Sequence, residues 1–141
     1  MAGFVREVMR MAPAVVAPTT SVLNVARRMR DDDVADVIVA AERQLIGIVS
    51  HRDVVVRVVA TGSDPATTEV STVCSSLILT AAPGQGLGEI LHLMQAHSVR
   101  RVPVVDQGEV VGVLTLGDLA IALSLPSARP EVRAAHVDPS P

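Results

Sequence analysis

The strongest constraint on the fold is an internal duplication. When the sequence is aligned with itself so that Pro18 falls on Pro83, an offset of 65 positions, the register continues without a gap to Asp53 on Asp118. Identical residues recur through both copies in this register: Val5/Val70, Val8/Val73, Ala17/Ala82, Met29/Met94, Val34/Val99, Val37/Val102, Val39/Val104 and Gly47/Gly112. A fixed period is typical of a supersecondary unit that is repeated along the chain. We therefore expect two half-length units with the same fold.

Each copy shows the same succession of hydrophobic patterns. In the first copy a short leading helix precedes an extended stretch, a helix that Ser21 caps, two extended segments, and a final helix from about His51. These first-copy segments are 5–10, 14–17, 36–40 and 45–49, and their second-copy counterparts are 70–75, 77–81, 101–105 and 109–114, with a final helix from about Leu116. Each copy is predicted as β-α-β-β-α with a small leading helix.

One such unit would leave a face of its short sheet exposed, because three short strands cover little apolar surface alone. We therefore expect an α/β or α+β fold in which two tandem β-α-β-β-α repeats pack sheet to sheet with pseudo-two-fold symmetry. The predicted boundaries are 1–61 for the first repeat, 62–69 for a polar linker, 70–125 for the second repeat and 126–141 for a flexible, proline-containing tail.

The composition argues against nucleic acid and membrane partners. The net charge is −3 and only 1% of residues are aromatic, so neither a cationic surface for phosphates nor a stacking platform for bases is expected. The most apolar helical stretch, 54–60, is short and contains Arg57, so it does not predict a membrane span. The N-terminus lacks the apolar run of a secretion signal. We expect a cytoplasmic protein.

No pattern in the sequence indicates an enzyme. The twelve basic residues are all arginines, which excludes a Schiff-base lysine and the lysine of a phosphate-binding loop. Cys74 is the single cysteine, and His92 and His97 are five residues apart rather than the four that would place both on one helix face for a metal. We expect no catalytic residues, no metal site and no cofactor.

The most informative segment is the turn from the last strand of each copy into the final helix. It reads Gly-Ile-Val-Ser-His-Arg-Asp over 47–53 and Gly-Val-Leu-Thr-Leu-Gly-Asp over 112–118. Ser50 or Thr115 can donate to a ribose or phosphate oxygen, and the Asp three residues later can accept two hydrogen bonds from a vicinal diol. The structural alternative is a capping box, in which hydroxyl and acid satisfy each other's backbone amides. Both interpretations remain open from the sequence.

These repeated turns, together with the apolar strand that ends in Pro-Val-Val-Asp over 103–106, resemble the CBS domain. The resemblance covers both copies from about 5 to 125. It implies paired repeats whose clefts bind an adenosyl ligand, namely AMP, ADP, ATP or S-adenosylmethionine. It also implies that such pairs join through their helices as homodimers.

The resemblance further implies a role for particular residues. Asp53 and Asp118 would hold the ribose hydroxyls, and Ser50 and Thr115 would lie beside them. Backbone around the extended stretches would border the adenine, and apolar strand residues would line the clefts; the residues concerned are Val16, Ala17, Ala81, Ile38 and Pro103. Ile38 departs from the family pattern, because it stands where the second copy has Pro103.

Charge distinguishes the two candidate sites. His51 and Arg52 lie in the first turn of one helix, where Arg52 could pair with a phosphate, whereas the second copy has no charge there. We therefore rank the Asp53 site higher for a phosphorylated ligand. Arg101 precedes the second-copy strand and could supply a cation from across the cleft, or simply be a solvated strand entry.

The sequence thus predicts a non-catalytic regulatory module that senses an adenosyl ligand and relays energy or metabolite status. The alternative is a ligand-free protein in which the paired repeats dimerise or dock on an effector protein. The helix faces expected to mediate such contacts are those of Val54, Val58, Leu119 and Leu123.

Overall fold

The computed structural model describes residues 3–11, 13–76 and 79–124. The chain divides into two compact units, and the division does not follow the two halves of the sequence. One unit is Ala14–Leu77, which contains Asp53; the other joins Met1–Pro13 to Ile78–Pro141 and contains Asp118. We name them the Asp53 unit and the Asp118 unit. The predicted tail at 126–141 lies outside the described residues.

The Asp53 unit is a small sheet whose β-strand valines share one buried cluster with apolar residues of its helical segments. Its described elements are β1 (Val15–Val16), α1 (Val22–Asp32), β2 (Asp36–Ala41), β3 (Gln44–Ser50), α2 (His51–Val54), a π-helical turn (Val55–Val59) and a 3₁₀ turn (Val70–Thr72). β1 runs parallel to β2, and β2 runs antiparallel to β3. This order reproduces the predicted β-α-β-β-α pattern.

Helix α1 forms where the sequence predicts it because it has both a cap and an apolar face. Ser21 caps the helix, since its side chain accepts a hydrogen bond of 3.1 Å from the backbone N–H of Asn24. Val22, Val25 and Met29 are buried in one cluster with the β2 and β3 valines. Burial of each such side chain contributes about 1.5–3 kcal/mol.

The Asp118 unit has a matching set of elements. They are a 3₁₀ turn (Val5–Glu7), α3 (Leu87–Ala96), β4 (Arg101–Asp106), β5 (Glu109–Thr115) and α4 (Leu116–Ala122), with β4 and β5 antiparallel. In the described part of this copy, one parallel bridge between Ala81 and Val104 stands in the place of β1. Both units mix helices and strands, which confirms the predicted α+β class.

The leading segments explain why the units and the sequence halves differ. Val5 N–H donates to the carbonyl of Gln85 over 2.9 Å, and Val70 N–H donates to the carbonyl of Thr20 over 2.8 Å. Each 3₁₀ turn therefore packs against elements of the other sequence copy. The repeat boundaries at 61, 62–69 and 70 remain a prediction about the sequence. In the structure, each compact unit contains the leading segment of the other sequence copy.

The duplicated glycines mark where each leading segment ends. Arg10 forms an antiparallel bridge with Val113, one residue after Gly112, and Ser75 forms the equivalent bridge with Ile48, one residue after Gly47. A Cβ on Gly112 would lie 2.8 Å from the Arg10 carbonyl oxygen, and a Cβ on Gly47 would lie 2.5 Å from that of Ser75. The close approach of two backbones explains both glycines.

The helix faces predicted for docking are wrong. Val58 and Leu119 are fully buried, each in the core of its own unit, and Val54 and Leu123 pack against those cores. In these two helical segments, Val55, Val56, Val59 and Ile121 are exposed instead. Residues 54/58 and 55/59 form two valine rows at the same i, i+4 spacing, so the sequence alone does not identify the row that faces the core.

Among the described residues, no helix is long and apolar enough to cross a bilayer.

Candidate functional site

The Asp53 turn is organised by a reciprocal pair of hydrogen bonds. Asp53 N–H donates to Ser50 Oγ over 3.1 Å, and Ser50 N–H donates to Asp53 Oδ2 over 2.9 Å. This is the capping box that the sequence left open as the structural alternative. The arrangement holds the carboxylate rigidly at the start of α2, with Oδ2 engaged.

The second carboxylate oxygen of Asp53 is less firmly held. Ser75 Oγ lies 3.4 Å from Oδ1, and Arg57 Nε lies 3.8 Å from the same atom with a half-exposed side chain. Both contacts are long for strong hydrogen bonds. Oδ1 therefore keeps capacity to accept hydrogen bonds from a ligand.

The Asp118 turn begins in the same way but holds its carboxylate differently. Asp118 N–H donates to Thr115 Oγ1 over 3.1 Å, which caps α4. The carboxylate forms a bidentate pair with Arg10: Nε lies 2.7 Å from Oδ2 and Nη2 lies 3.1 Å from Oδ1. Both oxygens of Asp118 are thus engaged by one guanidinium.

Charge around Asp118 favours its ionised form. The hydrogen bonds from Arg10 lower the pKa of the Asp118 carboxyl below its ordinary value, and the Thr115 contact and the nearby charge of Arg101 act in the same direction. Partial burial acts in the opposite direction. The same pair raises the pKa of Arg10. Asp118 is therefore an ionised carboxylate that pairs with Arg10 at physiological pH.

Arg10 is the site residue that sequence reasoning missed. Arg10 and Ser75 are equivalent at the 65-residue offset, and each lies against the aspartate of its own unit. The alignment already paired these two positions. What it could not show is that each leading segment lies against the strand-to-helix turn of the other copy.

The remaining predicted residues of the second copy lie together within the Asp118 unit. Arg101 is opposite Thr115 in the β4–β5 ladder, and Pro103 lies two residues along β4, on the same face of the strand as Arg101. Ala81 N–H donates to the Pro103 carbonyl over 2.9 Å. Ala81 and Pro103 are both buried. Polar residues, Arg101 and Thr115, therefore lie next to apolar residues, Ala81 and Pro103, along β4.

The first-copy residues are arranged similarly in the Asp53 unit. Ile38 is buried and lies opposite Val15 in the parallel ladder, with Val16 opposite Val39. Ala17 follows β1 and is exposed. Val16 and Ile38 thus lie on β1 and β2, and their role in lining a cleft stays a prediction.

Two polar residues of the first copy have different surroundings. His51 is half-buried, and its backbone N–H donates to the Ala35 carbonyl over 3.0 Å. Arg52, in contrast, is exposed at the start of α2. The preference for the Asp53 turn rested on Arg52. With Arg10 and Arg101 near Asp118, cationic charge is present at both turns, so charge alone no longer separates them.

The remaining candidate groups are the single cysteine and the side chains that could bind a metal ion. Cys74 packs against the core of the Asp53 unit, and burial raises the pKa of its thiol. Within residues 3–11, 13–76 and 79–124, no three His, Cys, Asp or Glu side chains cluster closely enough to hold a metal ion.

Comparison with known proteins identifies the repeat. The model of the CBS domain matches residues 5–60 and again 70–125. The CBS domain-containing protein YhcV of Bacillus subtilis is 34% identical over 117 residues, which cover 83% of each chain.

Solved structures share the fold. The crystal structure of Hypoxic Response Protein I with two coordinated zinc ions has a TM-score of 0.77 and 28% identity, and the match covers 86% of this chain and 99% of that one. The CBS domain pair of protein MJ0100, in complex with 5'-methylthioadenosine and S-adenosyl-L-methionine, has a TM-score of 0.73 at 19% identity, covering 86% and 95% of the two chains. This chain belongs to the CBS domain family and carries two copies of that domain in tandem.

Proposed function

We propose that this chain is a non-catalytic regulatory module that binds an adenosyl ligand at its strand-to-helix turns and relays energy or metabolite status. The observation that carries the proposal is the duplicated turn, in which a hydroxyl residue and an aspartate three residues later are held at the start of a helix in both units. The candidate ligands are AMP, ADP, ATP and S-adenosylmethionine.

The proposed contacts follow from the chemistry of each residue. Asp53 and Asp118 accept hydrogen bonds from the ribose hydroxyls, and Ser50 and Thr115 lie beside them. Adenine would lie along the apolar strand residues; in the Asp118 unit these are Ala81 and Pro103, and in the Asp53 unit they are Val16, Ala17 and Ile38. Apolar walls with a few polar groups are typical of sites for small ligands.

Arginines would recognise the phosphate of a nucleotide. Arg52 serves the Asp53 turn, with His51 beside it, and Arg101 serves the Asp118 turn. A guanidinium presents a planar set of donors that fits phosphate oxygens in pairs.

The fold is compatible with adenosyl ligands. The MJ0100 domain pair, which shares the fold, holds 5'-methylthioadenosine and S-adenosyl-L-methionine in its crystal structure. At 19% identity this likeness concerns the backbone arrangement. The proposal of an adenosyl ligand for the present chain therefore rests on the geometry of its own two turns.

The second candidate function is ligand-free interaction, as a homodimer or with an effector protein. Val55, Val56 and Val59 support it, because they form an exposed apolar row on one helical segment, with exposed fractions of 55%, 47% and 66%. Contiguous exposed apolar surface often marks a protein-protein contact. Light scattering after size-exclusion chromatography tests the homodimer, and a monomer at micromolar concentration would exclude it.

A melting-temperature screen with AMP, ADP, ATP, NAD and S-adenosylmethionine tests the ligand proposal. A ligand at one hundred times its dissociation constant stabilises the folded state by about 2.7 kcal/mol. We expect at least one adenosyl ligand to raise the melting temperature of the wild type, and Asp53→Ala or Asp118→Ala to abolish part of the shift. Asp106→Ala, in an exposed hairpin, is the matched control and should retain it. A flat response to the whole panel would leave the interaction function as the better account.

A further inference from the structure

The Arg10–Asp118 pair occupies the atoms that a ribose would need. Arg10 uses Nε and Nη2 to engage Oδ2 and Oδ1 of Asp118, at 2.7 and 3.1 Å. A vicinal diol that binds a carboxylate in the bidentate manner donates its two hydroxyls to the same two oxygens. A ribose that binds both oxygens from the same edge of the carboxylate needs the lone pairs that Arg10 uses, so it displaces the guanidinium.

The geometry allows this displacement without unfolding. The Arg10 side chain is 67% exposed and that of Asp118 is 25% exposed. The backbone of Arg10 is held by two hydrogen bonds to Val113, of 2.8 and 3.0 Å. The side chain can therefore swing about a fixed Cα, and an ion pair this exposed is weak enough to be exchanged for another.

The Asp53 turn has no such competitor at the equivalent position. Ser75 replaces Arg10 there, and its neutral hydroxyl lies 3.4 Å from Asp53 Oδ1. A ribose that approaches Asp53 Oδ1 competes with the long Ser75 contact and with Arg57 Nε at 3.8 Å, and neither forms a bidentate pair with the carboxylate; Oδ2 stays bonded to Ser50 N–H. The two turns therefore impose different costs on the same sugar.

We propose that Arg10 makes the Asp118 turn selective for phosphorylated adenosyl ligands over neutral ones. A neutral riboside that binds Asp118 displaces Arg10 and leaves the guanidinium without an anion. A nucleotide takes the same carboxylate but supplies a phosphate, which the displaced guanidinium can bind in a bidentate manner. Arg10 thus competes with both ligands for the Asp118 carboxylate, but its displaced guanidinium binds only the phosphate of the nucleotide. This inference rests on the adenosyl binding proposed above.

The test measures AMP and adenosine affinities at each turn separately. Amide NMR signals of Thr115 and Asp118 report on one turn, and those of Ser50 and Asp53 report on the other, so both dissociation constants come from one titration. The variant is Arg10→Ser, which gives this position the residue of its counterpart Ser75. Arg6→Ser is the control, because it removes the same charge from the same segment; Arg6 lies over the Phe4 ring instead, 4.6 Å from its centroid.

For the wild type we expect AMP to bind the Asp118 turn at least about ten-fold more tightly than adenosine, because the phosphate replaces the lost counter-ion. Arg10→Ser should reduce this ratio by roughly ten-fold, through tighter adenosine binding and weaker AMP binding, and Arg6→Ser should leave it unchanged. A ratio that stays within about two-fold of the wild type in Arg10→Ser would overturn the inference, whereas binding of both ligands would still support the proposed function.

Two further outcomes distinguish failure of the Arg10 inference from failure of the proposed function. Ligand-induced shifts at Ser50 and Asp53 alone, in both wild type and Arg10→Ser, would refute the role of Arg10 and leave the proposed function standing. No shift at either turn would refute both. The carboxyl ¹³C signal of Asp118 checks the pair without any ligand, because its titration midpoint should move upward in Arg10→Ser and stay in place in Arg6→Ser.

Discussion

The Asp53 and Asp118 turns share a hydroxyl residue and an aspartate in sequence, but the folded protein gives the two aspartates different partners. In both, a hydroxyl residue caps a helix and an aspartate follows three residues later. Asp53 turns back to its own backbone, whereas Asp118 turns outward to an arginine more than one hundred residues away in the chain. The difference arises from one position of the leading segments, where one copy has Ser75 and the other has Arg10. A residue outside a duplicated motif can thus give its two copies different hydrogen-bond partners.

The largest expected effect concerns the glycines at which the leading segments meet the turns. Gly47→Ala should lower the free energy of unfolding by about 3 kcal/mol, because the new Cβ would lie 2.5 Å from a backbone oxygen that cannot move alone. Gly112→Ala should cost less, about 1–2 kcal/mol, because the distance to the Arg10 oxygen is 2.8 Å and the second neighbour is the flexible Met9 side chain. Urea unfolding measures both.

Gly117→Ala is the matched control for these substitutions. It lies in α4 with no atom within 4 Å of the added Cβ, so it should be neutral or stabilise the protein by up to about 1 kcal/mol. Equal effects of all three substitutions would show that close backbone approach does not explain Gly47 and Gly112.

The next effect compares the two caps. Ser50→Ala and Thr115→Ala should each lower the free energy of unfolding by about 1 kcal/mol, because each removes the acceptor for a backbone N–H at a helix start. Thr115→Ser retains the oxygen and should cost less than half as much. Thermal or urea unfolding checks this, and a loss in Thr115→Ser as large as in Thr115→Ala would indicate that the methyl group, rather than the cap, stabilises the turn.

The smallest effect is the contribution of the Arg10–Asp118 pair to stability. Since Arg10 is mostly exposed, Arg10→Ser should cost only about 0.5 kcal/mol at pH 7. The pKa of Asp118 is lowered in the folded state, so this contribution is complete above the pKa of the unfolded chain and is lost as the pH falls through the lower folded value.

Urea unfolding of wild type and Arg10→Ser between pH 7 and about pH 2.5 measures this contribution. The two stability curves should converge at the acidic end. A difference that grows on acidification would have the wrong sign for a carboxylate with a lowered pKa.

The order of elements was predictable because local signals specify it. Ser21 caps α1 as its sequence indicates, and the strands at 36–40 and 101–105 extend by one residue at their C-terminal ends to Ala41 and Asp106. The extended stretch predicted at 77–81 is described only from residue 79, where Ala81 pairs in parallel with Val104 of β4.

The residues of the candidate site were only partly predictable. Both aspartates and both hydroxyls follow from the repeat, because a duplicated motif shows itself in the alignment. Arg10 does not, since its contact with Asp118 depends on which copy receives the leading segment, and contacts over such long sequence separations leave no local signal. The choice between Val54/Val58 and Val55/Val59 failed for a related reason, because tertiary packing decides between two identical rows.

The exchange of leading segments also determines the order in which the two units can be completed during synthesis. The Asp53 unit takes all its residues from one continuous stretch, Ala14–Leu77, so it can close as soon as that stretch has left the ribosome. The Asp118 unit needs Val5 and Arg10 together with Gln85, Val113 and Asp118, which are synthesised later. Closing such a long loop is slow relative to local folding. Val5 and Arg10 therefore reach their distant partners only after the segment through Asp118 has been synthesised.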